Sequence, residues 1–327
     1  MSVLSAFLDS LRATSGPSAA VELAANRIAG AAVDTRGGRP VVAQHAVETL
    51  PDGALVPSLT AANVRDRRIV AGVLGRVLDR IGRPRRIALI VPDSIARVSI
   101  VKFEQVPTRA DDLEQLIRWQ VKKAAPFSID EAQVSSAPGA HAPDGQEFLV
   151  TLARRDIVRE YEDLCAEGGA DAGVVDLSTL NVANAVLAAD GAGAAAADWL
   201  LVNVAPDSAT IAILSGAHVI FFRNRPTEEG TSLADLIHQS AMYYEDRLKG
   251  AGFARAVLAG GASSGPAHAA EVDQARRLVE ERLGIAMEAI DPRGAAALTD
   301  RIAAGPALLD AIAPLVGVLL RERERAA

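Results

Sequence analysis

The feature that most constrains this fold is an order of elements that occurs twice along the chain. Each half begins with two apolar segments joined by a glycine-containing turn, which is typical of a β-hairpin, and continues with an amphipathic helix and a short apolar strand. This duplication predicts an α/β protein with two similar lobes. The segments are Ala19–Val33, Arg39–Leu50, Asn63–Ile81 and Arg86–Val91 in the first half, and Trp199–Leu214, His218–Arg225, Thr231–Lys249 and Ala254–Leu258 in the second.

The composition is that of a globular protein with an aliphatic core. Of 327 residues, 50% are apolar and only 4% are aromatic, so Ala, Val, Leu and Ile must fill the core. The net charge of −7 argues against non-specific binding to nucleic acid or anionic lipid. No segment approaches the roughly 20 apolar residues that span a bilayer. We therefore expect a cytoplasmic protein without a transmembrane segment.

The sequence offers little for metal or nucleophile chemistry. Cys165 is the single cysteine, so it forms no intramolecular disulfide, and we expect a small buried residue. The five histidines lie far apart, without metal-ligand spacing. There is no Walker A, HExxH, GxSxG or GxGxxG motif. The sequence therefore predicts no metal site and no catalytic residue of these classes.

Two segments lie outside the repeated pattern. Met1–Thr14 carries apolar residues at helical spacing from Val3 to Leu11, which predicts an amphipathic helix. With Arg12 as its one cation, docking on its own protein or on a partner is favoured over membrane binding. The Ala/Gly-rich stretch Ala188–Ala197 is interpreted as the linker between the halves.

The middle of the chain has a pattern of its own. A helix at Asp111–Ala124 runs into an abrupt turn, and two paired strands follow at Gln133–Ala137 and Glu147–Ala153. Helices are predicted at Asp156–Glu167 and Ser178–Ala189. The segment Arg118–Glu131 reads RWQVKKAAPFSIDE, a helix followed by Pro-Phe. It resembles the corresponding segment of the PilM family, the actin-like component of type IV pilus and related secretion assembly platforms. At the level of pattern, the similarity extends over residues 18–321.

The resemblance implies a two-lobed actin-like fold, a duplicated ribonuclease H-like α/β unit, with a small α+β subdomain inserted in the first lobe. Carried over, the division is an N-terminal amphipathic segment at 1–16, a first lobe at 17–106 plus 175–190, an inserted subdomain at 107–174 and a second lobe at 191–327.

In that family the first phosphate loop has the form Asp-Ile-Gly-Ser, because an acid orients Mg²⁺ through water and Gly lets backbone N–H groups approach phosphate. The matching segment runs from Glu22 to Asn26. The acid is kept as Glu22, whereas Ala24 replaces Gly, and Ala29 lies near the position where the family often has Lys. An ordinary strand and turn with a chance Glu22 explains these residues equally well.

The second phosphate loop of the family, Asp-x-Gly-x-Ser, corresponds to the segment from Asn203 to Ser208. Asn203 replaces the carboxylate, Ala205 replaces Gly, and Pro206 removes one N–H donor. Asp207 would repel a phosphate unless a cation lay between them. Phosphoryl transfer depends on positioning and charge neutralisation, so hydrolysis is not expected.

The adenosine-contacting loop of the family is matched best, by Gly260-Gly261-Ala262-Ser263. The resemblance therefore keeps ATP with Mg²⁺ as a candidate ligand. The candidate nucleotide-binding residues are Glu22, Ala24, Asn26, Asn203, Asp207, Ser208, Gly260 and Gly261.

The resemblance also implies a partner. In PilM-like proteins a groove between the first lobe and its inserted subdomain receives the cytoplasmic tail of a bitopic, PilN-like membrane protein. Trp119, Phe127 and Ile129 are the candidate groove residues here, because apolar side chains near a Pro turn can hold an extended peptide. Burial in the core of the subdomain is the alternative for all three. This reading predicts a cytoplasmic adaptor, peripheral at the inner-membrane face.

Two other functions stay open at this stage. One is an active ATPase or kinase of the actin-like superfamily, for which no catalytic carboxylate stands out. The other is a filament-forming, FtsA-like protein, which would self-associate. Whether the chain forms a homo-oligomer is not decided by the sequence.

Overall fold

A computed structural model describes residues 16–142, 144–190, 197–226, 232–263, 268–299 and 302–326. The predicted N-terminal amphipathic helix, and residues 191–196 of the predicted linker, lie outside the described residues. Within the described part, no helix is both long and apolar enough to cross a membrane.

The elements alternate in type along most of the chain. The first third contains β1 (Ala19–Ala24), β2 (Arg27–Arg36), β3 (Arg39–Thr49), α1 (Arg67–Arg80) and β4 (Arg86–Val91). The middle contains β5 (Ala96–Phe103), α2 (Ala110–Val121), β6 (Ala132–Ala142), β7 (Gly145–Arg154), α3 (Arg155–Glu167), β8 (Asp171–Leu177) and α4 (Ser178–Asp190). The last part contains β9 (Asp198–Val204), β10 (Ser208–Ser215), β11 (His218–Pro226), α5 (Leu233–Arg247), β12 (Arg255–Ala259), α6 (Ala269–Leu283), β13 (Met287–Ala289), β14 (Ala297–Leu298) and α7 (Pro306–Ala326).

The first lobe is built on a six-stranded sheet in the order β14-β3-β2-β1-β4-β8. Strands β1, β2 and β3 are antiparallel, whereas β4 and β8 run parallel to β1. Apolar residues of α1 and α3 cover one face of this sheet, and those of α7 cover the other. Strand β4 is apolar on both faces because each face packs against helices.

The second lobe repeats this plan with a five-stranded sheet in the order β11-β10-β9-β12-β13. Helices α5 and α6 pack on one face, and α4 with part of α7 packs on the other. The predicted duplication is therefore confirmed. Each lobe opens with three strands, however, so the predicted single strands Ala19–Val33 and Trp199–Leu214 are wrong. Tight turns after Ala24 and Val204 divide them, and the apolar residues around these turns conceal them in the sequence.

A three-stranded sheet in the order β5-β7-β6 forms a separate small layer. Its core lies between one sheet face and α2. The predicted insertion at 107–174 differs from this layer at both ends, since β5 begins at Ala96 whereas α3 and β8 belong to the first lobe. Local pattern does not reveal which sheet a strand joins.

The end of the described chain returns to the first lobe. Strand β14 pairs with β3, and α7 packs on the first sheet and beside α4, between the two lobes. The predicted second lobe at 191–327 is therefore too long. The backbones of the two helices come very close at Gly317, where an added Cβ atom would lie 1.8 Å from the carbonyl oxygen of Asn181. Glycine is required there by the approach of another backbone.

Candidate functional site

The acid of the first predicted phosphate loop lies on β1 and is almost fully buried. Glu22 is 3% exposed. Its Oε2 forms an ion pair of 3.0 Å with Nη2 of Arg27, and its Oε1 accepts a 2.8 Å hydrogen bond from the hydroxyl of Ser178, the first residue of α4. Both carboxylate oxygens are thus used inside the protein. Glu22 holds the β1–β2 turn against α4 rather than presenting a free ligand to a cation.

The turn after β1 is tied to the end of β3 by a backbone hydrogen bond. Ala24 is buried at the end of β1, and the carbonyl oxygen of Asn26 accepts a 2.8 Å hydrogen bond from the Leu50 amide. The buried Oδ1 of Asn26 has no hydrogen-bond partner among the described residues.

A carboxylate directly after β4 joins the two lobes. Asp93 is buried and accepts a 3.1 Å hydrogen bond from the Thr179 amide and another from the Thr179 hydroxyl, at the start of α4. It also accepts a 2.8 Å hydrogen bond from the hydroxyl of Thr210, on β10 of the second lobe. Asn203 adds a further link, since its Nδ2 donates to the Thr179 hydroxyl at 2.8 Å.

Burial dominates the protonation of this carboxylate. It raises the pKa of Asp93 to about 6, and the negative charge of Asp207 acts in the same direction, while the hydrogen bonds from Thr179 and Thr210 oppose the rise. Three hydrogen bonds satisfy the oxygens of this carboxylate. Because no cation is in contact with it, burying its negative charge still costs free energy.

The hydrogen-bond donors of the second predicted phosphate loop are also used within the protein. The Ala205 amide donates to the carbonyl oxygen of Ser208 at 2.8 Å, Pro206 has no N–H, and the Ser208 hydroxyl accepts from Nδ2 of Asn224 at 3.1 Å. Oδ2 of Asp207 accepts a 2.6 Å hydrogen bond from Ser94, across the lobe junction.

Asp207 brings negative charge into this loop. Burial raises its pKa, the hydrogen bond from Ser94 opposes this, and the charge of Glu22 adds to the rise. Its Oδ1 is buried without a hydrogen-bond partner among the described residues. This loop therefore presents acceptors, where a phosphate requires donors.

The third predicted loop begins at Gly260, whose φ of +76° lies in the left-handed region and whose added Cβ would lie 1.9 Å from the Val204 carbonyl oxygen. Beside Gly261, the amides of Ala262 and Ser263 donate to Oδ2 of Asp310 at 2.7 and 3.2 Å. Asp310 is a buried carboxylate on α7. The chain thus supplies its own anion to this backbone nest.

The structure brings the three predicted loops to one junction between the lobes. The charge of Glu22 adds to the rise that burial causes in the pKa of Asp207, and the charge of Arg27 opposes the rise that burial causes in the pKa of Asp310, so these loops lie close together. The described residues contain no group of three or more His, Cys, Asp or Glu that could hold a metal ion. The amides of Ala205, Ala262 and Ser263 are already used within the chain, and the free Oδ1 of Asp207 would repel a phosphate unless a cation lay between them.

Sequence reasoning missed several residues of the junction: Arg27, Asp93, Ser94, Thr179, Thr210 and Asp310. Two of them had a usable signal. Asp93 follows directly on a buried strand, and Asp310 is the lone acid in the apolar stretch from Leu308 to Leu320. The threonines look like ordinary strand and helix residues.

A second candidate site is a groove of about 390 Å³ between β8, α3 and the small sheet. The small sheet contributes the face opposite to α2, because Val150 and Leu152 point into the α2 core while Thr151 and Ala153 line the groove. The groove residues are Val91, Ile95, Ala96, Gln133, Ser135, Thr151, Ala153, Arg155, Val158, Arg159, Glu162 and the whole of 172–177.

None of the three predicted partner-binding residues lines this groove. Trp119 lies on α2 and is 68% exposed, so the alternative of a core position is wrong for it. Phe127 and Ile129 are partly buried and pack on the core of the small sheet. All three belong to the α2 side of that sheet.

With this geometry established, the family assignment can be made. A family model described as type IV pilus assembly protein PilM matches residues 20–244. The chain belongs to the PilM family. A search of curated proteins finds no significant match.

Solved structures agree with the PilM family in fold. A chain of a structure described as the PilM–PilN type IV pilus biogenesis complex matches with a TM-score of 0.77 and 16% identity, over 94% of this chain and 99% of that chain. The predicted actin-like α/β fold is confirmed.

Two further structures are more distant. An actin-like ATPase-fold protein of unknown function from Bacteroides thetaiotaomicron matches with a TM-score of 0.49 and 7% identity, over 86% of this chain and 93% of that chain. The cytoplasmic domain of EpsL, from the type II secretion system of Vibrio cholerae, matches with a TM-score of 0.46 and 10% identity, over 73% of this chain and 80% of that chain.

Proposed function

We propose that this PilM-family protein is a cytoplasmic adaptor, which holds the cytoplasmic tail of a PilN-like membrane protein in the groove beside β8. The observation that carries the proposal is the groove itself. Its volume of about 390 Å³ falls within the range of ligand sites in proteins. Such an adaptor would sit at the inner-membrane face because its partner is anchored there.

The lining of the groove suits a peptide. Val158, Val174 and Val175 are partly exposed and provide apolar surface. Gln133, Ser135 and Thr151 provide polar side chains on the opposing sheet face. A mixture of apolar surface with a few polar groups is typical of binding sites. The match to a chain of a PilM–PilN complex supports this choice of partner.

The test is a titration with a labelled synthetic peptide of the cytoplasmic tail of the PilN-like protein from the same genome. We expect saturable binding that Ser135→Trp abolishes, because the indole would fill the groove. Ser136→Trp is the matched control, since Ser136 is the next residue on β6, is also exposed and does not line the groove. Binding that both variants leave unchanged would contradict the groove as the site.

We also propose that the lobe junction is structural and does not turn over ATP. The support is the consumption of the loop amides by Ser208 and Asp310, together with the unpaired acceptor oxygen of Asp207. Thermal unfolding with and without Mg-ATP tests this, because a ligand of the native state raises stability by RT ln(1 + [L]/Kd). We expect no shift and no phosphate release.

A saturating rise of Tm with Mg-ATP would favour the ATPase alternative, and polymers that pellet in a centrifuge would favour the FtsA-like one.

A further inference from the structure

The groove contains a free strand edge. Strand β8 is the last strand of the first sheet and pairs with β4 alone among the described strands. Its residues from Ala172 to Leu177 all line the groove. The strand has neither Lys nor Pro, two devices by which proteins commonly protect an edge from pairing. The register of β8 against β4 skips Gly173, and on either side of this residue the backbone of β8 that faces away from β4 has no strand partner among the described residues.

One end of this edge is already closed. The Leu177 amide donates to Oδ1 of Asp176 at 2.8 Å, and Oδ2 of Asp176 is paired with Arg321 of α7. The open part of the edge thus lies from Ala172 to Val175. This limits the segment that can pair with β8 to about four to six residues, or roughly 13–20 Å of extended chain.

The helical wall of the groove is charged. Arg155 and Arg159 lie one turn apart on α3 and are both exposed. Nη2 of Arg155 donates to the Ala132 carbonyl oxygen at 3.2 Å, whereas Arg159 has no ion pair among the described residues. Glu162 follows on the same helix face with the opposite charge. The cationic end of the wall is therefore suited to an acidic side chain.

We infer that the groove takes its ligand as an added β-strand on the free edge of β8, and that the bound segment carries an acidic side chain that pairs with Arg159. This inference rests on the proposed function and specifies how the same site recognises the bound peptide. Main-chain hydrogen bonds to an exposed edge supply affinity in such complexes, while pockets for alternate side chains supply specificity.

Backbone methylation tests the strand pairing. A set of tail peptides, each with one N-methylated amide, is titrated against the wild-type protein. In an added strand every second amide faces β8, so we expect at least a tenfold loss of affinity at alternate positions and less than a threefold change between them. The loss combines a missing hydrogen bond with an unpaired carbonyl group of β8.

A protein variant that removes the charge of Arg159 tests the contact with the acidic side chain. We expect Arg159→Gln to weaken binding three- to tenfold, with less salt dependence than the wild type. Arg277→Gln is the control, because Arg277 is exposed on α6 of the second lobe, away from the groove. Equal affinity of the Arg159 and Arg277 variants would overturn this contact.

The outcomes separate the inference from the function. Binding that Ser135→Trp abolishes, but that shows no alternation in the methylation series, keeps the adaptor function and overturns strand addition. A wild-type protein that does not bind the unmodified peptide overturns both. Alternation together with a loss on Arg159→Gln supports both.

Discussion

Asp93 gives the sharpest test of the lobe junction, through the pH dependence of stability. Burial raises the pKa of this carboxyl from 3.8 to about 6, so the folded protein holds its proton more tightly than the unfolded chain does. The stability from this group is fully present below about pH 4 and is lost as pH rises through 6. A difference of about two pKa units corresponds to about 3 kcal/mol.

The substitution Asp93→Asn removes the ionisation and keeps the shape. The amide oxygen can accept from the Thr179 amide, and the hydroxyls of Thr179 and Thr210 have spare lone pairs for the new NH₂ group. The unfolding entropy expected for 327 residues is about 0.7 kcal/mol/K. The Tm of Asp93→Asn minus that of the wild type should therefore rise by about 4 °C between pH 4 and pH 7.5.

Differential scanning calorimetry across this pH range measures the quantity directly. Asp34→Asn is the control, because Asp34 is exposed on β2, and its Tm difference should stay flat. A flat difference for Asp93→Asn as well would refute the reasoning, since it would mean that burial at the junction does not hold a proton on Asp93.

Three further predictions concern packing, reactivity and surface. Gly317→Ala should lower Tm by several degrees, because the new Cβ would overlap the Asn181 carbonyl oxygen. The control Gly72→Ala, on the open helix surface of α1, should stabilise the protein by about 0.5–1 kcal/mol. Equal effects of the two substitutions would contradict the close contact between α4 and α7. Cys165 is buried and burial raises the pKa of its thiol to about 12, so it should resist a thiol reagent at pH 8 until the protein unfolds in urea; rapid native labelling would contradict this. Trp119→Ala should leave tail-peptide affinity unchanged, and a tenfold loss in the titration would place the α2 face in the site.

Element types could be predicted from the sequence where periodicity was strong. The apolar run Arg86–Val91 is a buried strand as predicted, and the helix predicted at Asp156–Glu167 is present as α3. Local periodicity reflects which face of an element is buried, but it carries no information about which other helix or strand covers that face. The assignment of β5 to the small sheet and the return of α7 to the first lobe depend on contacts between distant residues, so they could not be predicted.

The candidate sites show the same limit. Glu22, Asn203 and Asp207 could be placed at one junction because the resemblance supplied their topology. Their partners could not, since Ser94 and Thr179 become significant only when folding brings them against these side chains. The resemblance implied a groove between the first lobe and the inserted subdomain, and a groove lies there, but Trp119, Phe127 and Ile129 do not line it. The alternation along β7 decides which sheet face lines it, and that depends on where α2 packs.

The return of α7 to the first lobe has a consequence for synthesis of the chain. One apolar face of the first sheet is covered by Pro306–Ala326, and this helix starts 116 residues after Asp190, the end of α4. At translation rates of about 5–20 residues per second, roughly 6–23 s separate the two. During that time the nascent first lobe exposes a sheet face rich in Ala, Val and Ile to water. A ribosome that stalls within the second lobe therefore leaves the earlier lobe unfinished, with a surface that chaperones and proteases can recognise.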